Sequence, residues 1–118
     1  MTKRELIDLC LTYQNSYEDY PFDDTTALIR HGGNKKMFAL IAERHGKLYI
    51  NLKCEPSKAD TLRTIFKSVF GGWHMNKEHW NTVYINGDVP KDTLVEMITD
   101  SFDLTKPKIK AKHIIDRV

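Results

Sequence analysis

Two tight reversals bracket one apolar run, and together they restrict the fold more than any other feature of this chain. Gly32-Gly33-Asn34 precedes residues 36–44, and His45-Gly46 follows them. Glycine and asparagine enter the positive-φ region at little cost, so both reversals suit hairpin turns rather than helical crossovers. Residues 26–31 before the first reversal and 47–53 after the second carry strand-like apolar patterns. The spacing predicts three antiparallel strands in a meander.

Helical periodicity surrounds this meander. Thr2 and Glu5 match a capping box, and Leu6, Leu9, Cys10 and Tyr13 recur on one helical face, which predicts a helix over residues 3–14. Tyr20-Pro21-Phe22 cannot continue it, because a proline disfavours helix in the residue before it. Pro56 suits a first helical turn, Leu62, Ile65, Phe66 and Val69 mark an apolar face, and Gly71-Gly72 supplies a stop. Residues 73–75 allow a short strand, and residues 81–85, closed by Asn86-Gly87, form a clearer one. Pro90 opens a last helix with Asp92 at its positive end and Leu94, Met97, Ile98 and Phe102 at core spacing. Pro107 breaks the pattern; Ile109, Ile114, Ile115 and Val118 after it suit a final amphipathic turn or extension.

The order α-β-β-β-α-β(-β)-α defines an α+β class: an antiparallel sheet with helices on one face. A chain of 118 residues has room for one core, so residues 1–105 read as a single domain and 106–118 as a basic extension. Leu48, Ile50 and Leu52 belong under the helices, with Tyr49, Asn51 and Lys53 on the open face. Val83 and Ile85 alternate with Thr82 and Tyr84 in the same way. Phe38 and Leu40 oppose Ala39 and Ile41, so residues 36–44 are apolar on both sides. Phe38 (or Ile41), Tyr49 and Tyr84 are therefore candidate anchors for a protein partner, a second copy or the folded-back tail.

Charge excludes a uniformly basic nucleic-acid binder. Eighteen Lys and Arg face 16 Asp and Glu, a net charge of +2. Lys106, Lys108, Lys110, Lys112 and Arg117 against Asp116 more than supply that excess, and Glu18, Asp19, Asp23 and Asp24 form an acidic cluster. Attraction to phosphate has to come from a patch or the tail. No apolar run approaches the roughly 20 residues of a membrane span, and the amino terminus lacks a secretory pattern. Two cysteines, Cys10 and Cys54, read as reduced thiols of a cytoplasmic protein.

Catalytic patterns are missing as well. His31-Gly32-Gly33-Asn34-Lys35-Lys36 lacks the spacing of a phosphate loop and precedes a strand. His74 and His79 stand five residues apart, which does not suit a helical zinc pair, and no activated nucleophile is recognisable. The acidic cluster reads as solvated surface. No metal, cofactor or enzymatic role is expected.

The densest chemistry lies in residues 71–83, Gly-Gly-Trp-His-Met-Asn-Lys-Glu-His-Trp-Asn-Thr-Val. Trp73 and Trp80 read as anchors of the fold, while aromatics beside amide and cationic groups can also stack bases and hold phosphates. This string, with Tyr20-Pro21-Phe22, Lys36-Met37-Phe38-Ala39-Leu40, Asn51-Leu52-Lys53-Cys54 and Asp100-Ser101-Phe102-Asp103-Leu104, closely resembles the MmcQ/YjbR family. The resemblance runs in order to about Leu104. It implies a small bacterial domain of double-wing, CyaY-like fold and a DNA-binding role, with no catalytic residues to carry over. Candidate DNA contacts are Arg30, Lys35, Lys36, Lys53 and Lys77, with Asn76 and His74 beside them. Hairpin tips would act as wings, Lys35 and Lys36 on one and Arg44 and Lys47 on the other, about 25 Å apart along the intervening strand. Two other functions remain open: a protein-interaction or homodimerisation module on the open face, and a small-molecule binder with a pocket near His74 and Tyr20.

Overall fold

The computed structural model describes residues 1–108, so the expected final turn built on Ile109, Ile114, Ile115 and Val118 lies outside the described residues. Three helices and six strands follow in the order α1 (Lys3–Leu11), β1 (Ser16–Asp19), β2 (Ala27–His31), β3 (Met37–Arg44), β4 (Lys47–Lys53), α2 (Pro56–Ile65), β5 (Val69–Gly71), β6 (Trp80–Tyr84) and α3 (Lys91–Thr105). The strands form one sheet in the order β1-β2-β3-β4-β6-β5, with every neighbouring pair antiparallel. This is the α+β architecture expected from the sequence, with one strand added after α1. Among the described residues no helix is long and apolar enough to cross a membrane.

Helix α1 starts where the capping box places it: Thr2 Oγ1 accepts from Glu5 N (3.2 Å) and Glu5 Oε1 accepts from Thr2 N (2.8 Å). It stops at Leu11 rather than residue 14. The Thr12 hydroxyl donates to Leu9 O (2.6 Å), Asn15 turns left-handed at φ 55°, and the Ser16 hydroxyl donates to Tyr13 O (2.7 Å). These bonds close the helix and swing the chain into β1, a four-residue edge strand paired only with β2. Its sequence, Ser-Tyr-Glu-Asp, has little strand propensity of its own. Arg4 fixes it from the helix side through a two-pronged bond to Glu18 (2.9 and 3.0 Å). The opposite edge strand, β5, has three residues.

The two expected turns form by different means. His45 and Gly46 both take positive φ (52° and 75°), the two-residue reversal that matches strand twist. In the β2–β3 turn the left-handed residue is Lys35 (φ 62°), not a glycine. Gly32 and Gly33 are small for another reason: a Cβ would lie 2.6 Å from the Asn15 side chain at the first and 2.8 Å from Pro107 at the second.

The helices lie on one face. Leu6, Ile7 and Cys10 of α1 and Leu94, Met97 and Ile98 of α3 pack over Ala27, Ile29, Ala39, Ile41, Ile50, Leu52 and Val83. Leu28 and Ala42 are also buried, 2% and 6% exposed, but stand outside this core, on the other side of the sheet.

One irregularity changes the reading of β3. Ile29 pairs with Ala39 and Arg30 with Met37, so Phe38 is an extra residue in a β-bulge. Phe38 and Ala39 consequently both point under the helices, and both are 0% exposed. The Phe38 ring sits among Tyr13, His31 and Phe102, with centroids 5.0–5.9 Å away. Its proposed place as an open-face anchor is thus corrected, and Ile41, also 0% exposed, faces the core as well. The bulge is fastened by α3: the Ser101 hydroxyl donates to Phe38 O (2.6 Å) and accepts from Lys53 N (2.9 Å).

Past β4 the second helix ends at Ile65, where Phe66 turns extended. The strand of this region is Val69–Gly71, and residues 73–75 instead belong to the loop that follows it.

Candidate functional site

The open face of β4 and β6 is built from three cross-strand pairs: Tyr49 with Tyr84, Asn51 with Thr82, and Lys53 with Trp80. Phe70 of β5 lies beside Thr82. Residues 72–79 then fold back so that Trp73 covers this face. Three hydrogen bonds hold it: Trp73 N donates to Thr82 Oγ1 (2.9 Å), Thr82 Oγ1 donates to Asn51 Oδ1 (2.6 Å), and Asn51 Nδ2 donates to Trp73 O (3.3 Å). Asn51 and Thr82 are 1% and 0% exposed, so these bonds satisfy groups that water does not reach. Gly72 allows the approach, since a Cβ there would lie 2.8 Å from Trp80 Cβ.

The same loop is gripped from the helix side. Arg63 of α2 donates through Nε to Asn81 Oδ1 (2.6 Å) and through Nη2 to Trp80 O (3.2 Å) and Lys77 O. Within the loop, Asn76 Oδ1 accepts from Glu78 N (2.9 Å), while its carbonyl accepts from Trp80 N (3.0 Å). The distinctive string of residues 71–83 is therefore largely a fastening. Its amides and threonine tie the backbone, and what they position is an indole.

That indole centres an aromatic cluster. Trp73 packs against Tyr49 (5.1 Å, 77°), Tyr84 (5.4 Å, 77°) and Phe70 (4.9 Å, 51°), and Phe70 also meets Tyr84 at 5.2 Å. All four rings are half-buried, and neither tryptophan belongs to the helix-side core. Each edge-on or tilted pair contributes about 0.5–1.5 kcal/mol beyond its area. Burial pushes the Tyr49 phenol up from its ordinary range, which keeps it neutral.

Two cations lie on these rings. Arg44 Cζ is 4.4 Å from the Trp73 ring centre and Lys47 Nζ is 5.5 Å from that of Tyr84. They are directly opposite each other at the end of the β3–β4 hairpin, so both project onto the open face. Like charges in such a pair repel. No acidic side chain among the described residues pairs with either, and the aromatic quadrupoles are the compensation present. Three of the four acidic-cluster carboxylates are otherwise engaged: Glu18 with Arg4, Asp19 with Arg30 at 2.8 Å, and Asp23 with the Thr25 and Thr26 amides at 2.8 and 2.6 Å.

The residues singled out from the sequence do not all meet. Tyr49 and Tyr84 come together in the cluster, with Lys53 on the same face at the far end of β4. Arg30 also reaches the open face, but its guanidinium is engaged by Asp19 and by Lys35 O (2.9 Å). Lys35 and Lys36 are exposed at the other end of β3 from Arg44, about 25 Å away over eight residues. His74, left-handed at φ 58°, and Lys77 are exposed in the loop, and Asn76 is occupied in holding its backbone. Tyr20 follows β1 at one edge of the sheet, and His74 lies between β6 and the opposite edge strand, β5. Sequence reasoning missed the partnership of Arg44 with Trp73 and of Lys47 with Tyr84, and the place of Phe70 in the cluster. The signal for Asn51 and Thr82 was present, as polar residues interleaved on one face with Tyr49 and Tyr84.

Comparison with known proteins agrees with this architecture. A Pseudomonas syringae crystal structure superposes with a TM-score of 0.80 at 30% identity, covering 90% of this chain and all of that one. A Deinococcus radiodurans crystal structure gives 0.82 at 33% identity, covering 98% of this chain and 86% of the other. Among curated proteins, Bacillus subtilis YyaQ is 36% identical over 100 residues, 75% of this chain and 84% of that protein. Escherichia coli YjbR is 28% identical over 102 residues, 86% of this chain and 85% of its own length. Both are named as uncharacterised, so the likeness brings no activity with it. The family model described as YjbR matches residues 11–104, which includes every strand, the Trp73 loop and nearly all of α3, and the chain belongs to the YjbR family.

Proposed function

We propose that this protein is a non-catalytic, cytoplasmic DNA-binding protein that uses the open sheet face, with the β3–β4 hairpin as the wing that meets phosphate. One observation carries the reading: Arg44 and Lys47, side by side and without acidic partners among the described residues, rest on half-exposed aromatic rings. A folded domain gains little by setting two like charges opposite each other, whereas a phosphate backbone gains from both. The Trp73 cluster lies beneath their charged ends and offers surface for sugar or base.

Fluorescence anisotropy with labelled DNA, presented both as single strand and as duplex, tests the proposal. At low ionic strength the wild type binds, and neutralising about two to four phosphates gives a log–log salt slope of about −2 to −4. Arg44→Ala and Lys47→Ala each weaken binding and flatten the slope by roughly one. Absence of binding to either form, or binding indifferent to both substitutions, rejects the proposal. A protein partner on the same face would show as a concentration-dependent mass in sedimentation without DNA.

A further inference from the structure

We infer that the open face takes single-stranded nucleic acid, stacking unpaired bases on the Arg44–Trp73 pair, in preference to a duplex. This rests on the nucleic-acid reading above and narrows it. The first argument is width. The cationic and aromatic residues occupy the end of β3 and strands β4, β6 and β5, four adjacent strands at about 4.8 Å spacing, or roughly 14 Å across. On the same face beyond β3 stands Asp19, opposite Leu28, and it is already paired with Arg30 at 2.8 Å. A duplex presents two phosphate strands, and the second would overhang this closed ion pair instead of an unpaired cation.

The second argument is chemistry. A duplex keeps its base faces stacked inside, so aromatic planes on a sheet have nothing to meet, whereas an unpaired base stacks on aromatic rings and on guanidinium planes alike. Arg44 lies over Trp73 with its own side chain exposed, so the next layer of that stack is open to solvent. The third is direction. Lys47 and Lys53 are the two ends of β4 and project to the same face, about 20 Å apart. A single extended backbone laid along β4 meets Lys47 and Arg44, then the ring cluster, then Lys53.

The test compares one mixed 16-nucleotide sequence as a single strand, deoxy and ribo, and as a duplex, against the intact chain. Binding is read by anisotropy and by tryptophan emission. The expected result is at least about tenfold tighter binding of a single strand, in either sugar form, with quenched emission. Arg44→Lys keeps the charge and removes the plane, so it costs single-strand affinity severalfold while leaving the salt slope unchanged. Trp73→Phe retains an aromatic anchor and lowers affinity less than Trp73→Ala, with thermal melting confirming that each variant is folded. Equal or tighter duplex binding overturns this inference and leaves DNA binding standing. An Arg44→Lys variant with wild-type affinity also overturns it, and binding of neither form removes both readings.

Discussion

Replacing Thr82 by valine removes one oxygen from the middle of the bonds that hold Trp73 and changes almost nothing else. The two side chains have nearly the same shape, so no cavity opens. The lost hydroxyl leaves Trp73 N without its acceptor at 2.9 Å and the buried Asn51 Oδ1 without its donor at 2.6 Å. An unsatisfied group of this kind costs about 1–3 kcal/mol, and the added methyl returns less than about 1 kcal/mol. The net loss is about 2–3 kcal/mol, which for a domain of this size lowers Tm by about 10 °C. Urea unfolding followed by far-ultraviolet circular dichroism measures it. The cycle with Asn51→Leu is the sharper test: once the carboxamide is gone there is less left to orphan, so the double variant loses less than the two single losses added together, by about 1 kcal/mol. A loss below about 0.5 kcal/mol for Thr82→Val, or strict additivity in the cycle, would refute the idea that this network holds the indole.

Other outcomes test other parts of the fold. Ser101→Ala removes the hydroxyl that joins Phe38 O to Lys53 N across the bulge, and is expected to cost about 2 kcal/mol in denaturant unfolding with faster hydrogen exchange at the Lys53 amide. Unchanged protection of that amide would show that the ladder closes without α3. Phe38→Ala should cost about 3–5 kcal/mol, as expected for a ring 0% exposed; a loss under 1 kcal/mol would return Phe38 to the open face. His31 is buried against Phe38 and Phe102, and desolvation, with Lys106 adding to it, lowers its pKa from the ordinary value. The unfolded chain therefore binds the proton first: stability from this group is complete above about pH 6.5 and declines as pH falls. His31→Gln should reduce the slope of stability against pH between 7 and 5, and an unaltered slope would locate the effect elsewhere.

Local signals in the sequence were decisive where local bonds make the structure. Thr2 with Glu5, the apolar spacing of Leu94, Met97 and Ile98, and the His45-Gly46 reversal each act within a turn or two, and each was legible. Alternation failed at Phe38 because a single extra residue reverses the parity of a strand, and nothing in residues 36–44 announces it. The strand Ser16–Asp19 was hidden for a different reason, since a polar edge segment owes its conformation to pairing with β2 and to Arg4. The candidate site was half visible. Tyr49 and Tyr84 follow from period two, but the return of Trp73 depends on bonds to Asn51 and Thr82, 22 and 9 residues away.

The two outermost strands have a consequence for how molecules of this chain can meet. Strand β1 offers four residues, two of them carboxylates, and Pro21 soon ends any chance of extending it; β5 offers three and runs straight into Gly72. Short, charged or interrupted borders are poor templates for a neighbouring backbone. Sideways growth of the sheet into ribbons or fibrils is therefore blocked at both margins. A dimer made from the described residues would join surface to surface rather than edge to edge, and one formed on the face of Tyr49, Trp73 and Tyr84 would compete with any nucleic-acid strand held there.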